Sequence, residues 1–202
     1  MELIEKTLID YINQVDSDMP APGGGSVASL VGALGVSLAK MSAHFSVNKK
    51  KFKEAKGKEK DKFILAFKEM DYYKDLLIKG VDDDAISYDA IAAAMKLKDN
   101  ENLQKALMVS TLVAFEMQES AYAALRYAEK LISLCNKYLY SDLISSAILL
   151  SSCVEMSSLN VIANASMLED EEAKLHYLTS TEDLVKKAKR LKNKIIREIN
   201  KY

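Results

Sequence analysis

Apolar residues recur along most of this 202-residue chain at steps of three and four, the spacing that lines one face of an α-helix. The period-two alternation of β-branched residues expected of strands is absent. Leu3, Ile4, Leu8, Tyr11, Ile12 and Val15 predict a short amphipathic helix over residues 2–15. From about Ser26 to Ser46, the residues Ala28, Gly32, Gly35, Ala39 and Ala43 form a thin stripe against which another helix can lie closely. Val31, Leu34, Leu38 and Met41 make the other faces apolar too, so this helix is expected to be central and buried nearly all round. A long helix is predicted from about Lys58 to Leu97, and further ones over about 102–134, 142–168 and 180–201. No proline follows Pro22, and Ala, Leu, Lys, Glu, Met and Ser dominate. The pattern reads as all-α, one domain over residues 1–202 built as a bundle of about five to seven helices.

One stretch interrupts this regularity. Residues 20–35 hold both prolines and five of the seven glycines. Pro20 and Pro22 fix an extended approach, and Gly23, Gly24 and Gly25 let the backbone turn and come close to another group. Ser26 is expected to cap the helix that follows. The free N–H groups of such a helix start favour an anionic or carbonyl-rich partner, although a tight turn before a core helix explains the same residues. The stretch matches neither the phosphate-binding Gly-x-x-x-x-Gly-Lys-Ser/Thr pattern nor the dinucleotide Gly-x-Gly-x-x-Gly pattern, which disfavours a nucleotide.

The candidate chemistry lies in polar residues at apolar positions. Leu77, Val81, Asp84, Tyr88, Ile91 and Met95 describe an inward-facing seam, and Asp84 occupies one of its steps. A carboxylate there loses hydration and must find partners or its pKa rises, as in catalytic sites and in structural ion pairs alike. Asp82, Asp83 and Asp89 fall off the seam and are expected to be solvated. Asn160 and Asn164 stand one turn apart on an otherwise apolar helix and need hydrogen-bond partners, whether a neighbouring helix or a ligand. Asp142 shares a face with Asn160, but about 27 Å of helix separates them, so the two cannot touch one small group. Ser141 or Asp142 is a candidate cap for that helix. The run Asn48-Lys49-Lys50-Lys51 is either a solvated segment or a loose site for carboxylates. His44 reads as a structural histidine and His176 as a solvated one.

Composition narrows the classes. A net charge of −1 provides no global field for nucleic acid or an acidic membrane, and Phe52 alone among the lysines offers no stacking platform. No apolar run is expected to span a bilayer. Cys135 and Cys153 have neither metal spacing nor an evident base, which suits a reducing cytoplasm and argues against thiol chemistry. No metal or other cofactor is suggested.

Pro20-Ala21-Pro22-Gly23-Gly24-Gly25-Ser26-Val27-Ala28 closely resembles the signature of the formiminotetrahydrofolate cyclodeaminase / methenyltetrahydrofolate cyclohydrolase family. Further along, Asp84-Ala85 before Tyr88 is similar to the family's aspartate, alanine and aromatic. Cys135-Asn136 stands at its Gly-Asn, Ser141-Asp142 at its Ser-Asp, and Asn160-Val161-Ile162-Ala163-Asn164 with Asp170 at its Asn-Val-x-x-Asn segment and trailing aspartate. The resemblance implies an all-helical homodimer that binds a folate in a cleft between long helices near the subunit interface. It implies Asp84 as the catalytic carboxylate and Pro22, Gly23, Gly24, Gly25, Ser26, Asn136, Asp142, Asn160 and Asn164 as substrate-binding residues. Lys49, Lys50 and Lys51 would hold the glutamate tail. The expected activity is hydrolysis of 5,10-methenyltetrahydrofolate. The alternatives are cyclodeamination of formiminotetrahydrofolate and a folate-binding dimer without turnover.

Overall fold

The computed structural model describes residues 2–201. Seven α-helices are present among them: α1 (Leu8–Val15), α2 (Gly24–Val47), α3 (Lys50–Glu54), α4 (Lys58–Leu97), α5 (Asn100–Leu131), α6 (Tyr140–Ala165) and α7 (Glu171–Ile199). One 3-10 turn precedes α1 and two join α5 to α6, and no strand occurs among the described residues. The all-α expectation holds.

The start and stop signals explain most boundaries and correct some expectations. Alpha-helix α4 ends where Lys98 takes a left-handed conformation, and Asp99 opens α5 by accepting from the Asn102 N–H. The acidic stretch before the last helix belongs to that helix. Asp170 accepts from the N–H groups of Glu172 and Ala173, so α7 starts nine residues before the expected position, with two glutamates in its first turn. Neither Ser141 nor Asp142 caps α6, whose cap position is Leu139. The lysine run forms the five-residue α3.

Helix α2 lies between α4 and α6, and small residues set how closely. A methyl group at Gly32 would come within 2.7 Å of Cys153 Sγ and 3.1 Å of Leu77, and one at Gly35 within 2.9 Å of Leu150. Hydroxyls fix the register: Ser29 donates to the Leu77 carbonyl and Ser146 to the Gly35 carbonyl, each at 2.6 Å. Behind this layer, α5 and α7 close the core around Phe63, Met70, Leu125, Leu143, Leu150 and Ile195. Gln118 of α5 is fully buried there. Its amide donates to the carbonyls of Val154 and Thr181, and its oxygen accepts from the Thr181 hydroxyl at 2.8 Å.

One flank of α2 departs from the expected all-round burial. Leu34 and Phe45 are 52% and 58% exposed, with Val31, Leu38 and Met41 half-buried on the same stripe. Tyr88 and Met95 of the α4 seam are also exposed, although Ile91 between them is buried. By length and hydropathy alone α2 and the stretch Lys137–Ala165 could cross a bilayer, contrary to the sequence expectation, although 56% and 50% of those segments are buried inside the bundle.

Candidate active site

The first turn of α2 lacks a side-chain cap, because its cap position is Gly23 and not Ser26. The Ser26 N–H instead donates to Asp84 Oδ2 at 2.8 Å, so a carboxylate from the middle of α4 serves the helix start from 58 residues away. A negative group at this end is also favoured by the helix dipole. Gly25 makes the approach possible: a methyl group there would lie 1.9 Å from Asp84 Oδ1 and 2.6 Å from Asn160 Nδ2. Three elements thus meet at a point that a residue with a Cβ would fill. Pro22, behind a cis Ala21–Pro22 bond, is buried beneath the turn, and Gly24 opens on free space.

Burial pushes the Asp84 carboxyl above its ordinary range, and the Ser26 N–H works against that shift. No charged neighbour contributes. A carboxyl of this kind can stabilise a cation that enters the site and can exchange a proton with it.

Three groups around Asp84 carry no recognisable mark in the sequence. The hydroxyls of Tyr11 and Ser26 lie 2.9 Å apart, with Tyr11 buried although it reads as one more position of an amphipathic stripe. Ser87, one turn beyond Asp84, donates to the Asp84 carbonyl at 2.9 Å and to Ser110 Oγ at 3.1 Å. Ser110 of α5 in turn accepts from Asn164 Nδ2 at 2.9 Å. That contact supplies the neighbouring-helix partner that the asparagine requires. Asp82 is not simply solvated: it accepts from the N–H groups of Leu3 and Ile4 and ties the N-terminal segment to α4. Asp83 pairs with Lys79.

The structure brings Gly25, Ser26, Asp84 and Asn160 together, with Asn164 a turn further along α6. It places Asn136, Asp142, Lys49, Lys50 and Lys51 at the far end of α2, while Pro22, Gly23 and Gly24 lead into the site at its near end. The Asn136 N–H donates to Ser46 Oγ at 2.8 Å, and Ser46 stands 20 residues after Ser26, about 30 Å along the axis. Asn136 Oδ1 accepts from the Tyr138 N–H. Asp142 and Lys51 act on the Cys135 thiol from this same end, and Lys49 and Lys50 project into solvent beside it. Burial pushes the thiols of Cys135 and Cys153 up to about 11 and about 12, so neither is a ready nucleophile. His44 packs edge-on against Phe67 at 4.6 Å, and His176 lies against Phe115 and Tyr177. No group of three or more His, Cys, Asp or Glu among the described residues is placed to hold a metal ion.

The sequence profile described as formiminotransferase-cyclodeaminase matches residues 7–183, from before the Pro-Gly turn to the first part of α7. The chain belongs to the formiminotransferase-cyclodeaminase family. It is 25% identical over 199 residues to a methenyltetrahydrofolate cyclohydrolase of Methylorubrum extorquens, covering 94% of each chain. It is 29% identical to the formimidoyltransferase-cyclodeaminase of Sus scrofa, matching 93% of this chain but only 36% of that longer protein. The solved structure of formiminotetrahydrofolate cyclodeaminase from Thermotoga maritima superposes with a TM-score of 0.86 at 25% identity, covering 98% of this chain and 99% of that one.

Proposed function

We propose that this family member is a methenyltetrahydrofolate cyclohydrolase. The observation that carries the reading is the Asp84 carboxyl, buried where Gly25 leaves room and held by a single N–H donor. In 5,10-methenyltetrahydrofolate the bridging carbon belongs to an amidinium-like cation. The Asp84 carboxylate stabilises that charge and takes a proton from the water that attacks the bridging carbon. As the carbon–N5 bond breaks, N5 takes the proton held by Asp84 and the carbinol hydroxyl loses its own, so 10-formyltetrahydrofolate leaves with one proton released overall. Asn160 supplies an amide to the ligand beside the carboxylate, and the N–H groups at the start of α2 face its oxygens.

Cyclodeamination of formiminotetrahydrofolate is the second reading, favoured by the likeness to the Thermotoga maritima cyclodeaminase over the whole chain. The same carboxyl would then protonate the departing ammonia nitrogen.

We further propose that the site is completed in a homodimer. The exposed apolar stripe of α2 covers a second copy of itself, and charge selects the antiparallel arrangement. One end of α2 adjoins Asp82, Asp83 and Asp84, and the other adjoins Lys49, Lys50 and Lys51. A two-fold axis through the middle of α2 sets Gly25 level with Ser46 of the second copy. The second copy's lysines and Asn136 then flank Asp84 and reach the carboxylate tail.

Loss of 5,10-methenyltetrahydrofolate absorbance, compared between this protein and its Asp84→Asn variant, tests the reading. Decay that the variant abolishes while still folded supports it. Formation of the same chromophore from 5-formiminotetrahydrofolate assigns cyclodeamination instead. If neither signal exceeds the uncatalysed rate, a folate-binding role without turnover replaces both.

A further inference from the structure

Ser26 uses its N–H and its hydroxyl on different neighbours. Its N–H holds Asp84 Oδ2 at 2.8 Å, and its hydroxyl lies 2.9 Å from Tyr11 OH. Ser26 is fully buried and Tyr11 is 7% exposed, so water has little access to this pair. Burial raises the Tyr11 phenol above its ordinary range, with the nearby Asp84 and Asp82 adding to the shift. Tyr11 is therefore a neutral phenol at physiological pH, able to hold the serine hydroxyl in place.

Resting on the cyclohydrolase reading above, we propose that Tyr11 is a positioning residue that engages the Ser26 hydroxyl and keeps it off the Asp84 carboxylate. A buried serine hydroxyl needs a partner. Once Tyr11 OH is removed, the freed hydroxyl turns to the carboxylate already bound by the same residue's N–H. Each added donor to a carboxylate favours its ionised form and weakens it as a base. The hydroxyl of Tyr11 thus preserves the basicity that burial gives Asp84.

Other groups around the carboxyl do not confuse this assignment. The facing residues of α2 are glycine and serine, α5 presents Ser110, and α6 presents Asn160 and Asn164. On α4 itself, Asp82 is engaged by the amides of Leu3 and Ile4, and Asp83 by Lys79. Tyr11 is the titratable group that α1 contributes.

The test uses Tyr11→Phe, Ser26→Ala and the double variant, each checked for folding by its thermal transition. The pH–rate profile and the 13C titration of the Asp84 carboxyl are both recorded. Tyr11→Phe is expected to move the acid limb and the carboxyl titration about one pH unit lower and to reduce kcat about threefold to tenfold, with KM little changed. Adding Ser26→Ala is expected to return the titration towards wild type, because the hydroxyl responsible is gone. An unshifted titration in Tyr11→Phe overturns the proposal, and so does a shift that survives in the double variant. If the wild type shows no turnover at all, the cyclohydrolase reading fails on its own account, and the 13C titration still decides the role of Tyr11.

Discussion

The amide of Ser26 donates to the carboxylate of Asp84 at 2.8 Å, joining the start of one helix to the middle of another. The cap that Gly23 cannot provide comes from the residue best placed for chemistry. Asp84 therefore serves two ends at once: it satisfies a helix N-terminus, and it is held at one oxygen while the other faces the space left by Gly25.

Replacing Asp84 with asparagine separates those roles. An amide carbonyl still accepts from the Ser26 N–H, so the fold is expected to persist while turnover falls about a thousandfold. Stability is expected to move the other way. The folded-state pKa of Asp84 is raised, so the favourable contribution of the protonated form is complete below the ordinary carboxylate value and is lost as pH rises through the folded one. Above its folded-state pKa, wild type carries a buried charge that asparagine does not. Thermal unfolding should show the variant melting higher at pH 7, with the gap closing under acid conditions. A variant that melts lower at every pH would show that the carboxylate's capping outweighs its burial.

Gly25→Ala is predicted to disable the site without touching a chemical group. The new methyl would sit 1.9 Å from Asp84 Oδ1, so either the carboxylate rotates away or α2 shifts. Displacements of this size cost about a hundredfold in rate. Gly24→Ala has nothing within 4 Å of its added methyl and serves as the control for folding, its thermal transition expected to match wild type.

Away from the site, Thr181→Val removes the hydroxyl that Gln118 Oε1 accepts from in the interior. An unsatisfied buried oxygen is expected to cost about 1–3 kcal/mol. Denaturant unfolding should register that loss with no change in KM.

Self-association is predicted to depend on the exposed stripe of α2. Leu34→Asp should halve the mass measured by sedimentation and lower activity together with it. Lys49→Ala, Lys50→Ala and Lys51→Ala combined should instead raise KM and reduce its salt dependence, leaving kcat nearly intact. A protein that sediments as a monomer and is fully active would exclude a site shared between copies.

Local patterns sufficed for the helices and fell short for their junctions. The limits of α4 are plain because a long run of helix formers ends at the polar break Lys98-Asp99-Asn100-Glu101-Asn102. The start of α7 was hidden because Glu169-Asp170-Glu171-Glu172 reads as a polar turn, although an acidic first turn behind an aspartate cap gives the same letters. Ser26 looked like a cap because serine precedes an apolar run. Its true role follows from Asp84 and Tyr11, which no window around it contains. Asp84 stood out as a polar residue on an apolar seam, and Asn160 and Asn164 as amides among aliphatics. Ser110 and Tyr11 did not, since a serine or tyrosine on a helix is ordinary until the neighbouring helix is known. The resemblance collects Asn136 and Asp142 with Asp84; helix spacing already sets Asp142 far from Asn160, and the structure shows that Asn136 lies at that distant end too.

The position of α2 in the layer has a consequence for biosynthesis. Its last residue, Val47, is made 118 residues before α6 ends at Ala165, yet Ser146 reaches back 111 positions to the Gly35 carbonyl. At ribosomal rates of roughly 5–20 residues per second, α2 waits about 6 to 24 s for that flank to be covered. For this interval the nascent chain displays an apolar helix that only later translation can shelter, so a message cut short before α6 leaves a product dependent on chaperones. Asn160 lies in the same late segment, and the pocket around Asp84 is therefore among the last parts of the chain to be assembled.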